Sequence, residues 1–314
     1  MERDVVIGVD AGGTSTRCVV ARLDGRVLSR GSAGGANPFS SADPAGALEA
    51  ALGEALGGVG TDRVAAAVFG IAGASAAGHA RASAAAARAW QAAGLQRAPR
   101  VTDDIAVAFA AGTPEPEGAV VIAGTGAVAA YVADGSVRRR CDGYGWLLGD
   151  EGSAVWIALA GLRAALAGID GRGGATVLSE RMAAALEIAP GDPQEFIRTV
   201  YARPPAELGG LAPEVAGAAQ EGDAEAARIC REGAGRLLGA LEAVLPSGAG
   251  APIVLSGSLM GRGPVAERVR AGVGERFGRA PLAAADGVLG AAGLALRAAG
   301  APPDAHARLL SGRR

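Results

Sequence analysis

A glycine-rich turn near the start of the chain is the first feature that could do chemistry. It follows a short apolar run, and its sequence is Asp10-Ala11-Gly12-Gly13-Thr14-Ser15-Thr16. Glycines let the backbone approach an anion closely, and successive N–H groups form a concave nest of donors, so Gly12 and Gly13 predict a phosphate-binding turn. The hydroxyls of Thr14 and Thr16 would add donors, and Asp10 would hold Mg²⁺ through water. An ordinary hairpin turn is the alternative interpretation.

A second turn, Gly124-Thr125-Gly126, repeats the first in a similar context. Each turn follows a buried apolar run and precedes another strand-like segment. Two such turns from opposed domains would grip the β- and γ-phosphates of a nucleotide from both sides with backbone amides. That arrangement would replace the lysine of a P-loop, because all 30 basic residues of the chain are arginines.

Two adjacent carboxyl groups, Asp103 and Asp104, lie at the C-terminal end of a predicted strand, where α/β proteins usually bind ligands. A carboxylate there can accept the proton of an attacking hydroxyl, which is the role of the catalytic aspartate in phosphoryl transfer. The residues alone leave open which of the two carboxylates would be this base, ahead of the helix predicted over 105–111. The alternative is an N-cap of that helix, and Asp104 could serve as both.

The densest motif is a glycine-rich segment in the middle of the chain, Gly143-Tyr144-Gly145-Trp146-Leu147-Leu148-Gly149-Asp150-Glu151-Gly152-Ser153. Aromatic rings and carboxylates are what a sugar site uses, since a sugar ring stacks on the former and its hydroxyls donate to the latter. The alternative is a loop in which Asp150 or Ser153 caps the following helix while Tyr144 and Trp146 belong to the core.

The hydrophobic pattern supplies two similar sets of elements to hold these motifs. Strand, glycine turn, strand, Asp-Gly turn and strand follow one another over residues 5–31, and the same order recurs over 120–141. Helices and strands alternate after the first set. Mostly helices follow the second, apart from a strand at 252–255. The pattern predicts an α/β fold of two related domains with mixed sheets, divided at a turn-rich stretch into residues 1–115 and 116–314.

Bulk properties argue against several classes of function. The 314 residues carry a net charge of −2 and only 4% aromatic residues, which argues against a nucleic-acid partner, and no stretch supplies the ~20 apolar residues of a membrane span. Three widely spaced cysteines and two histidines outside any motif argue against a zinc site, a disulfide framework and a Ser-His-Asp hydrolase. Without a secretory signal pattern at the N-terminus, a cytoplasmic location is expected.

Taken in order, the motifs resemble the ATPase superfamily of acetate and sugar kinases, heat-shock chaperones and actin, and within it the N-acetylglucosamine kinase and BadF-type ATPase family. The resemblance rests on Gly8–Thr14, Asp104 with its helix, Ala123–Gly126 and Gly149–Ser153, the last being the most specific. The turn Ser256-Gly257-Ser258 extends it into the second half. It implies two ribonuclease-H-like, actin-like ATPase domains flanking a nucleotide cleft, with ATP and Mg²⁺ as cofactors, a small sugar as substrate and, often, a homodimer.

The resemblance also implies a role for each matching residue. The phosphate turns would be Gly12, Gly13 and Thr14, and Gly124, Thr125 and Gly126; Asp10 would help to place Mg²⁺, and Asp104 would be the base for the 6-hydroxyl of the sugar. The sugar contacts would be Asn37, Asp104, Gly143, Tyr144, Gly145 and Asp150, and the adenosine-side turn would be Gly257 and Ser258. Two departures from the family pattern leave the sugar open: Tyr144 replaces a common Trp, and Pro38 follows Asn37. Asp103 replaces a common Asn, which leaves two acids as candidates for the base; Asp104 is favoured because its position relative to the following helix fits better.

The leading prediction is a kinase that phosphorylates N-acetylglucosamine at the 6-hydroxyl, with glucosamine or N-acetylmuramic acid as alternative sugars. Another branch of the family, the ATP-driven activators of dehydratases, holds an iron–sulfur cluster through cysteines beside the ATP site. Here Ala123 and Ala127 flank the second glycine turn and no cysteine pair is placed for ligation. A non-catalytic sugar sensor is a third possibility, and the presence of Asp104 argues against it.

Overall fold

A computed structural model describes residues 3–75, 77–246 and 250–312. Within these ranges the strands are β1 (Val5–Ala11), β2 (Ser15–Arg22), β3 (Val27–Gly34), β4 (Val64–Ile71), β5 (Arg100–Asp103), β6 (Glu117–Ala123), β7 (Ala127–Ala133), β8 (Ser136–Asp142), β9 (Ile253–Ser256) and β10 (Leu282–Ala283). The α-helices are α1 (Pro44–Leu56), α2 (His79–Ala92), α3 (Asp104–Ala110), α4 (Ala154–Ile169), α5 (Leu178–Leu186), α6 (Pro193–Tyr201), α7 (Pro205–Leu208), α8 (Ala212–Gln220), α9 (Ala224–Val244), α10 (Pro264–Phe277), α11 (Gly287–Ala298) and α12 (Ala305–Ser311). Single 3₁₀ turns form at Thr61–Arg63, Gly209–Leu211 and Ser258–Met260. No helix in the described ranges has both the length and the apolar character needed to cross a bilayer.

The first sheet has the strand order β3-β2-β1-β4-β5. Strands β1 to β3 form an antiparallel meander, whereas β4 and β5 run parallel to β1 because helices α1 and α2 return the chain before each of them. Every residue of β1 except Asp10 is buried, as expected of a central strand with helices on both faces. Helices α1 and α2 cover one face and α11 with α12 the other.

The second sheet repeats this plan with the order β10-β9-β6-β7-β8. Strands β6 to β8 form the antiparallel meander, and β9 and β10 run parallel to β6. When β6 is matched to β1, the two sheets have the same strand order and directions. Helices α4, α5, α8, α9 and α10 build a large core on one face of this sheet. Two mixed sheets with this shared topology are two ribonuclease-H-like domains, and the predicted fold class is confirmed.

Helix α3 lies between the two sheets and is packed from both sides. Its apolar residues contact β6, β7 and β9 of the second sheet, while α11 packs against it from the first. Glycines permit the close approach of α11, since a Cβ on Gly290 would lie 2.1 Å from the Val107 carbonyl oxygen and one on Gly8 of β1 would lie 2.3 Å from the Ala292 nitrogen. The first residue of α3, Asp104, is therefore fixed between the lobes.

The predicted elements form with their ends shifted by no more than three residues. Strand β10, which has only two residues, and the short helix α12 were not predicted, and helices α5 to α10 were expected only as a mostly helical stretch without bounds. The domain division at residues 115 and 116 stays a prediction. Strand β6 does begin the second sheet at Glu117, but α11 and α12 return to the first sheet and complete its core.

Candidate active site

The first glycine turn joins β1 to β2 and is closed by a hydrogen bond from the Gly12 N–H to the Ser15 carbonyl, at 2.8 Å. Gly13 and Thr14 at its tip are exposed. Thr16 differs from the expectation, because its side chain is fully buried and its hydroxyl has no hydrogen-bond partner among the described residues. The turn is therefore open to a ligand at residues 13 and 14, whereas Thr16 lies beneath it.

Asn37 follows β3 and is tied to the same turn, since its N–H donates to the Gly12 carbonyl at 3.2 Å. Its side-chain Oδ1 accepts from the Phe39 N–H at 2.9 Å. A Cβ on Gly73, just after β4, would lie 3.1 Å from this Oδ1. Asn37 thus borders the loop that follows β4, at the same edge of the first sheet as the glycine turn.

Asp10 lies near the end of β1 and faces the start of α11, where a Cβ on Gly287 would lie 2.4 Å from its Oδ2. Burial and the neighbouring Asp286 carboxylate raise the pKa of Asp10 to about 6, against a smaller opposite effect of Arg17. Arg17 forms its own ion pair with Asp286, at 2.9 Å. Arg17 is therefore paired with Asp286 rather than with Asp10, and its positive charge only partly offsets the effects that raise the pKa of Asp10.

Asp103 and Asp104 have separate roles at the junction of β5 and α3. Asp103 is the N-cap, and its Oδ1 accepts from the Ile105 N–H at 3.0 Å. The capping role weighed for Asp104 thus belongs to its neighbour. Burial, a hydrogen bond with Asp103 and the charges of Asp103 and Asp10 raise the pKa of Asp104 well above its usual range. Asp104 is left free to react.

The second glycine turn joins β6 to β7 and is closed by a hydrogen bond from the Gly124 N–H to the Gly126 carbonyl, at 2.9 Å. The Gly124 carbonyl accepts from the N–H of Ala154, the first residue of α4, at 2.8 Å. Ser153 caps α4 by accepting from the Trp156 N–H at 3.1 Å. The N-terminus of a 16-residue helix, which favours anions, is therefore fixed directly on this turn.

The segment predicted to contact sugar is anchored by Asp142, which the sequence reasoning did not identify. Its carboxylate accepts from the N–H groups of Gly143, Asp150 and Glu151, each at 2.7 Å. The Asp142-Gly143 pair at the end of a strand could have indicated this turn, since aspartate side chains commonly bond nearby backbone N–H groups. One carboxylate thus ties both ends of the loop together.

Asp150 bridges this loop and the second glycine turn. Its backbone is in the left-handed region (φ 53°), and a Cβ on Gly126 would lie 2.8 Å from its Oδ2. Burial raises the pKa of Asp150, while hydrogen bonds from the Ala127 and Gly145 N–H groups act in the opposite direction. The Asp150 carboxyl therefore lies against the second glycine turn.

The aromatic residues of the loop are not part of the core. The exposed fraction is 66% for Tyr144 and 48% for Trp146. Both rings are thus available at the surface, which removes the interpretation of these side chains as core residues.

The predicted adenosine-side turn lies against the second glycine turn. Gly257 has φ 94°, and a Cβ on it would lie 2.3 Å from the Ala123 carbonyl oxygen, so only glycine fits there. A Cβ on Gly124 would lie 3.4 Å from Ser258 Oγ. The ends of the parallel strands β6 and β9 therefore meet at one place.

A cleft of about 350 Å³ opens between the lobes. Among the residues predicted from the sequence, the structure places the following on its wall: Asp104, Gly124, Thr125, Gly126, Gly143, Asp150 and Gly257. Others are not on that wall: Asp10, Gly12, Gly13, Thr14, Thr16, Asn37, Tyr144, Gly145 and Ser258. The charge of Asp10, near the end of β1 just before the first glycine turn, helps to raise the pKa of Asp104 on this wall.

The lining residues that sequence reasoning missed include Gly73, Ser75 and Arg140. Gly73 and Ser75 follow β4, and Arg140 lies on β8. The first two could have been found, because β4 lies between β1 and β5 and the C-terminal ends of parallel strands meet at one edge.

Metal binding at this site would use few protein ligands. No group of three or more His, Cys, Asp or Glu side chains in the described part of the chain is arranged to enclose an ion. Mg²⁺ does not need such a cage, since it usually binds one or two carboxylates, water and substrate phosphates. The repulsion of Asp10 by Asp286, and of Asp104 by Asp10, is what a bound cation would relieve.

Two ribonuclease-H-like lobes with glycine turns and an aspartate between them define an ATPase of the actin-like class. Comparison with known proteins agrees: a model of the BadF/BadG/BcrA/BcrD ATPase family matches residues 7–295. The chain belongs to this family, as predicted.

Individual relatives are consistent with this assignment. The chain is 29% identical over 246 residues to an N-acetylmuramic acid/N-acetylglucosamine kinase of Clostridium acetobutylicum, covering 76% of this chain and 79% of the relative. A solved structure from Chromobacterium violaceum, described as a candidate N-acetylglucosamine kinase, has a TM-score of 0.73 and 25% identity, over 93% of this chain and 98% of the other. A similarly described structure from Porphyromonas gingivalis has a TM-score of 0.68 over 94% and 99% of the two chains; at 20% identity it supports the fold. The predicted enzyme class, a kinase, is confirmed.

Proposed function

We propose that this chain transfers the γ-phosphate of ATP to a hydroxyl of an amino sugar, with the 6-hydroxyl of N-acetylglucosamine as the leading acceptor. The observation that carries the proposal is Asp104, a desolvated carboxyl that lines a cleft together with the second glycine turn and the anchored loop. The names of the relatives from Clostridium acetobutylicum and Chromobacterium violaceum support an N-acetylated sugar as the acceptor.

In the proposed reaction Asp104 acts as the general base. It accepts the proton of the sugar hydroxyl while the hydroxyl oxygen bonds to the γ-phosphorus, and the bond from that phosphorus to the bridging oxygen breaks, so that ADP leaves. The raised pKa of Asp104 supports this role, because a carboxylate with a higher pKa holds an abstracted proton more firmly.

The nucleotide would lie along the second glycine turn. The N–H groups of Thr125 and Gly126, together with the N-terminus of α4, would bind its phosphates, with Gly12, Gly13 and Thr14 acting from the other lobe. Gly257 and Ser258 would border the adenosine. Asp10 would hold Mg²⁺, which supplies positive charge to the β- and γ-phosphates when bound.

The sugar would lie on the anchored loop. Asp150 would accept from its hydroxyls, and Gly143 and Gly145 would let the backbone approach the ring. Tyr144 and Asn37 would border the same pocket from the two lobes. The binding of a sugar at this loop rests on Asp142, which ties the loop's two ends together.

Substrate profiling tests the proposal directly. The purified protein would be incubated with ATP, Mg²⁺ and a panel of amino sugars, including N-acetylglucosamine, glucosamine and N-acetylmuramic acid. ADP release and a product heavier by one phosphate are expected, and mass spectrometry of fragments would locate the phosphate. Turnover of none of these sugars would refute the proposal. The cytoplasmic location and the homodimer stay predictions, the latter to be tested by sedimentation.

A further inference from the structure

One basic side chain, Arg140 of β8, stands among the described residues that line the cleft. The carboxylates of Asp103, Asp104 and Asp150 line it too. The cleft wall is therefore acidic except at one point. A neutral sugar needs no cation there, so the arginine calls for an explanation of its own.

Two backbone carbonyls at the start of the anchored loop hold the Arg140 guanidinium in place. We call this segment, Gly143 to Ser153, the sugar loop. The Nε of Arg140 donates to the Asp142 carbonyl at 3.0 Å, and its Nη2 donates to the Gly143 carbonyl at 2.6 Å. A guanidinium has five N–H groups, and these two bonds use two of them. The other three have no acceptor among the described residues, so a planar donor group is fixed in orientation with most of its capacity unused.

The charge of Arg140 is also uncompensated. Among the described residues no carboxylate lies within ion-pair distance of Arg140. Its charge lowers the pKa of Asp150, but this effect is smaller than that of burial. Arginine with a free face binds carboxylates strongly, because two parallel N–H groups match the two carboxylate oxygens. Arg140 thus has the properties of an anion-binding residue.

We propose that Arg140 forms a carboxylate subsite in the cleft, so that amino sugars bearing a carboxylate substituent are preferred over neutral counterparts of the same size. This rests on the proposed function. A contact with the nucleotide phosphates is the competing role. Its bonds to the carbonyls of Asp142 and Gly143, in the sugar loop rather than in the second glycine turn, favour the sugar side.

The test compares two sugars of the same size that differ in charge: N-acetylmuramic acid, which is N-acetylglucosamine carrying a lactic acid ether on O3, and the same ether as the neutral lactamide. The wild-type protein should have a kcat/KM on the order of ten- to a hundredfold higher for the carboxylate. Arg140→Gln should bring this ratio close to one while changing the kcat/KM of the lactamide by less than about threefold. Arg139→Gln is the matched control, since Arg139 donates to the Ala243 carbonyl at 2.9 Å and does not line the cleft. It should keep the wild-type ratio.

Each other outcome overturns the subsite. A kcat/KM ratio of carboxylate to lactamide near one in the wild-type protein, or an unchanged ratio in Arg140→Gln, would show that Arg140 does not distinguish the charged sugar from the neutral one. An equal loss for both ethers, or a higher KM for ATP, would show that Arg140 supports the loop or the phosphates instead. If the wild-type protein phosphorylates neither ether nor N-acetylglucosamine itself, the proposed function fails and the subsite fails with it.

Discussion

Acid should destabilise this protein through one buried histidine, His306. Only 3% of its surface is exposed, and its Nε2 lies 2.9 Å from the carbonyl oxygen of Ala110, the last residue of α3. Its Nδ1 has no partner among the described residues. A Cβ on Gly293 of α11 would lie 2.1 Å from the ring, so His306 is enclosed where α12, α11 and α3 meet.

The size of the effect follows from the pKa. Burial, helped by the charge of Arg297, lowers the pKa of His306 from 6.5 to about 4, although the bond to Ala110 acts in the opposite direction. Between these two values the unfolded chain carries a proton that the folded chain lacks, so the free energy of unfolding falls as the pH is lowered from 6.5 towards 4. At about 1.4 kcal/mol per pKa unit, the loss is about 3 kcal/mol.

The variant His306→Gln isolates this contribution, because glutamine keeps an N–H donor but does not titrate. Urea unfolding of both proteins at pH 7, 5.5 and 4.5 should show a free energy of unfolding that depends less on pH in the variant. The raised pKa of Asp10 acts in the opposite direction, since its folded form gains protons first, but it is present in both proteins and cancels in the difference.

His79→Gln is the control, since His79 is exposed at the start of α2 and is the one other histidine in the sequence. It should retain the wild-type dependence on pH. If His306→Gln loses stability in acid as steeply as the wild-type protein, the neutral buried histidine is not the cause and the reasoning is wrong.

Four further predictions concern the cleft. Asp104→Asn should lower kcat by about 10²- to 10⁴-fold with ATP binding nearly intact, as measured by steady-state kinetics and calorimetry; near-normal turnover would remove Asp104 from its role. In the wild-type protein kcat/KM should fall as pH is lowered through a value above the ordinary aspartate pKa, because the base must be ionised. Gly257→Ala should lower the free energy of unfolding by at least about 1 kcal/mol more than Gly263→Ala, since both glycines have positive φ but only Gly257 faces a backbone oxygen at 2.3 Å; equal losses would contradict this. Asp10→Asn should bind ATP more tightly than the wild-type protein in EDTA and less tightly with Mg²⁺, by calorimetry, whereas the exposed Asp24→Asn should change neither. The same direction in both conditions would exclude Asp10 as a metal ligand.

Much of the fold could be predicted because its signals are local. A buried apolar run followed by glycines marks both β1 and β6, and the Asp-Gly pairs after β2 and β7 mark the two hairpins. Strand β10 carried no such signal, since two residues show no period. The return of α11 to the first sheet could not be predicted either, because it depends on the fit of Gly290 and Gly293 against distant helices.

In the candidate site, too, the features set by local sequence could be predicted, and those set by the fold could not. Glycine turns and strand-end aspartates are visible in the sequence because their chemistry depends on local backbone conformation. Arg140 is not, because Arg138, Arg139 and Arg140 in one strand resemble a solvated edge, and only the folded chain shows which of them reaches the cleft. Thr16 is the reverse case, since its place in the motif predicts a ligand while the fold buries its hydroxyl.

Burial is the largest cause of the raised pKa values of Asp10 and Asp104, and the charges of neighbouring carboxylates add to it. This chain has no lysine; it brings carboxylates to the cleft and, among the residues that the structure describes, one arginine, which is held at the sugar loop. Polyphosphate entering such a site meets charges of its own sign, which backbone N–H groups and the N-terminus of α4 offset only in part. Under the proposed assignment, a divalent ion that arrives with the nucleotide would reverse the balance. Asp10 would then attract the complex that it would repel without metal, and Asp104 would lose part of the repulsion from Asp10 that raises its pKa.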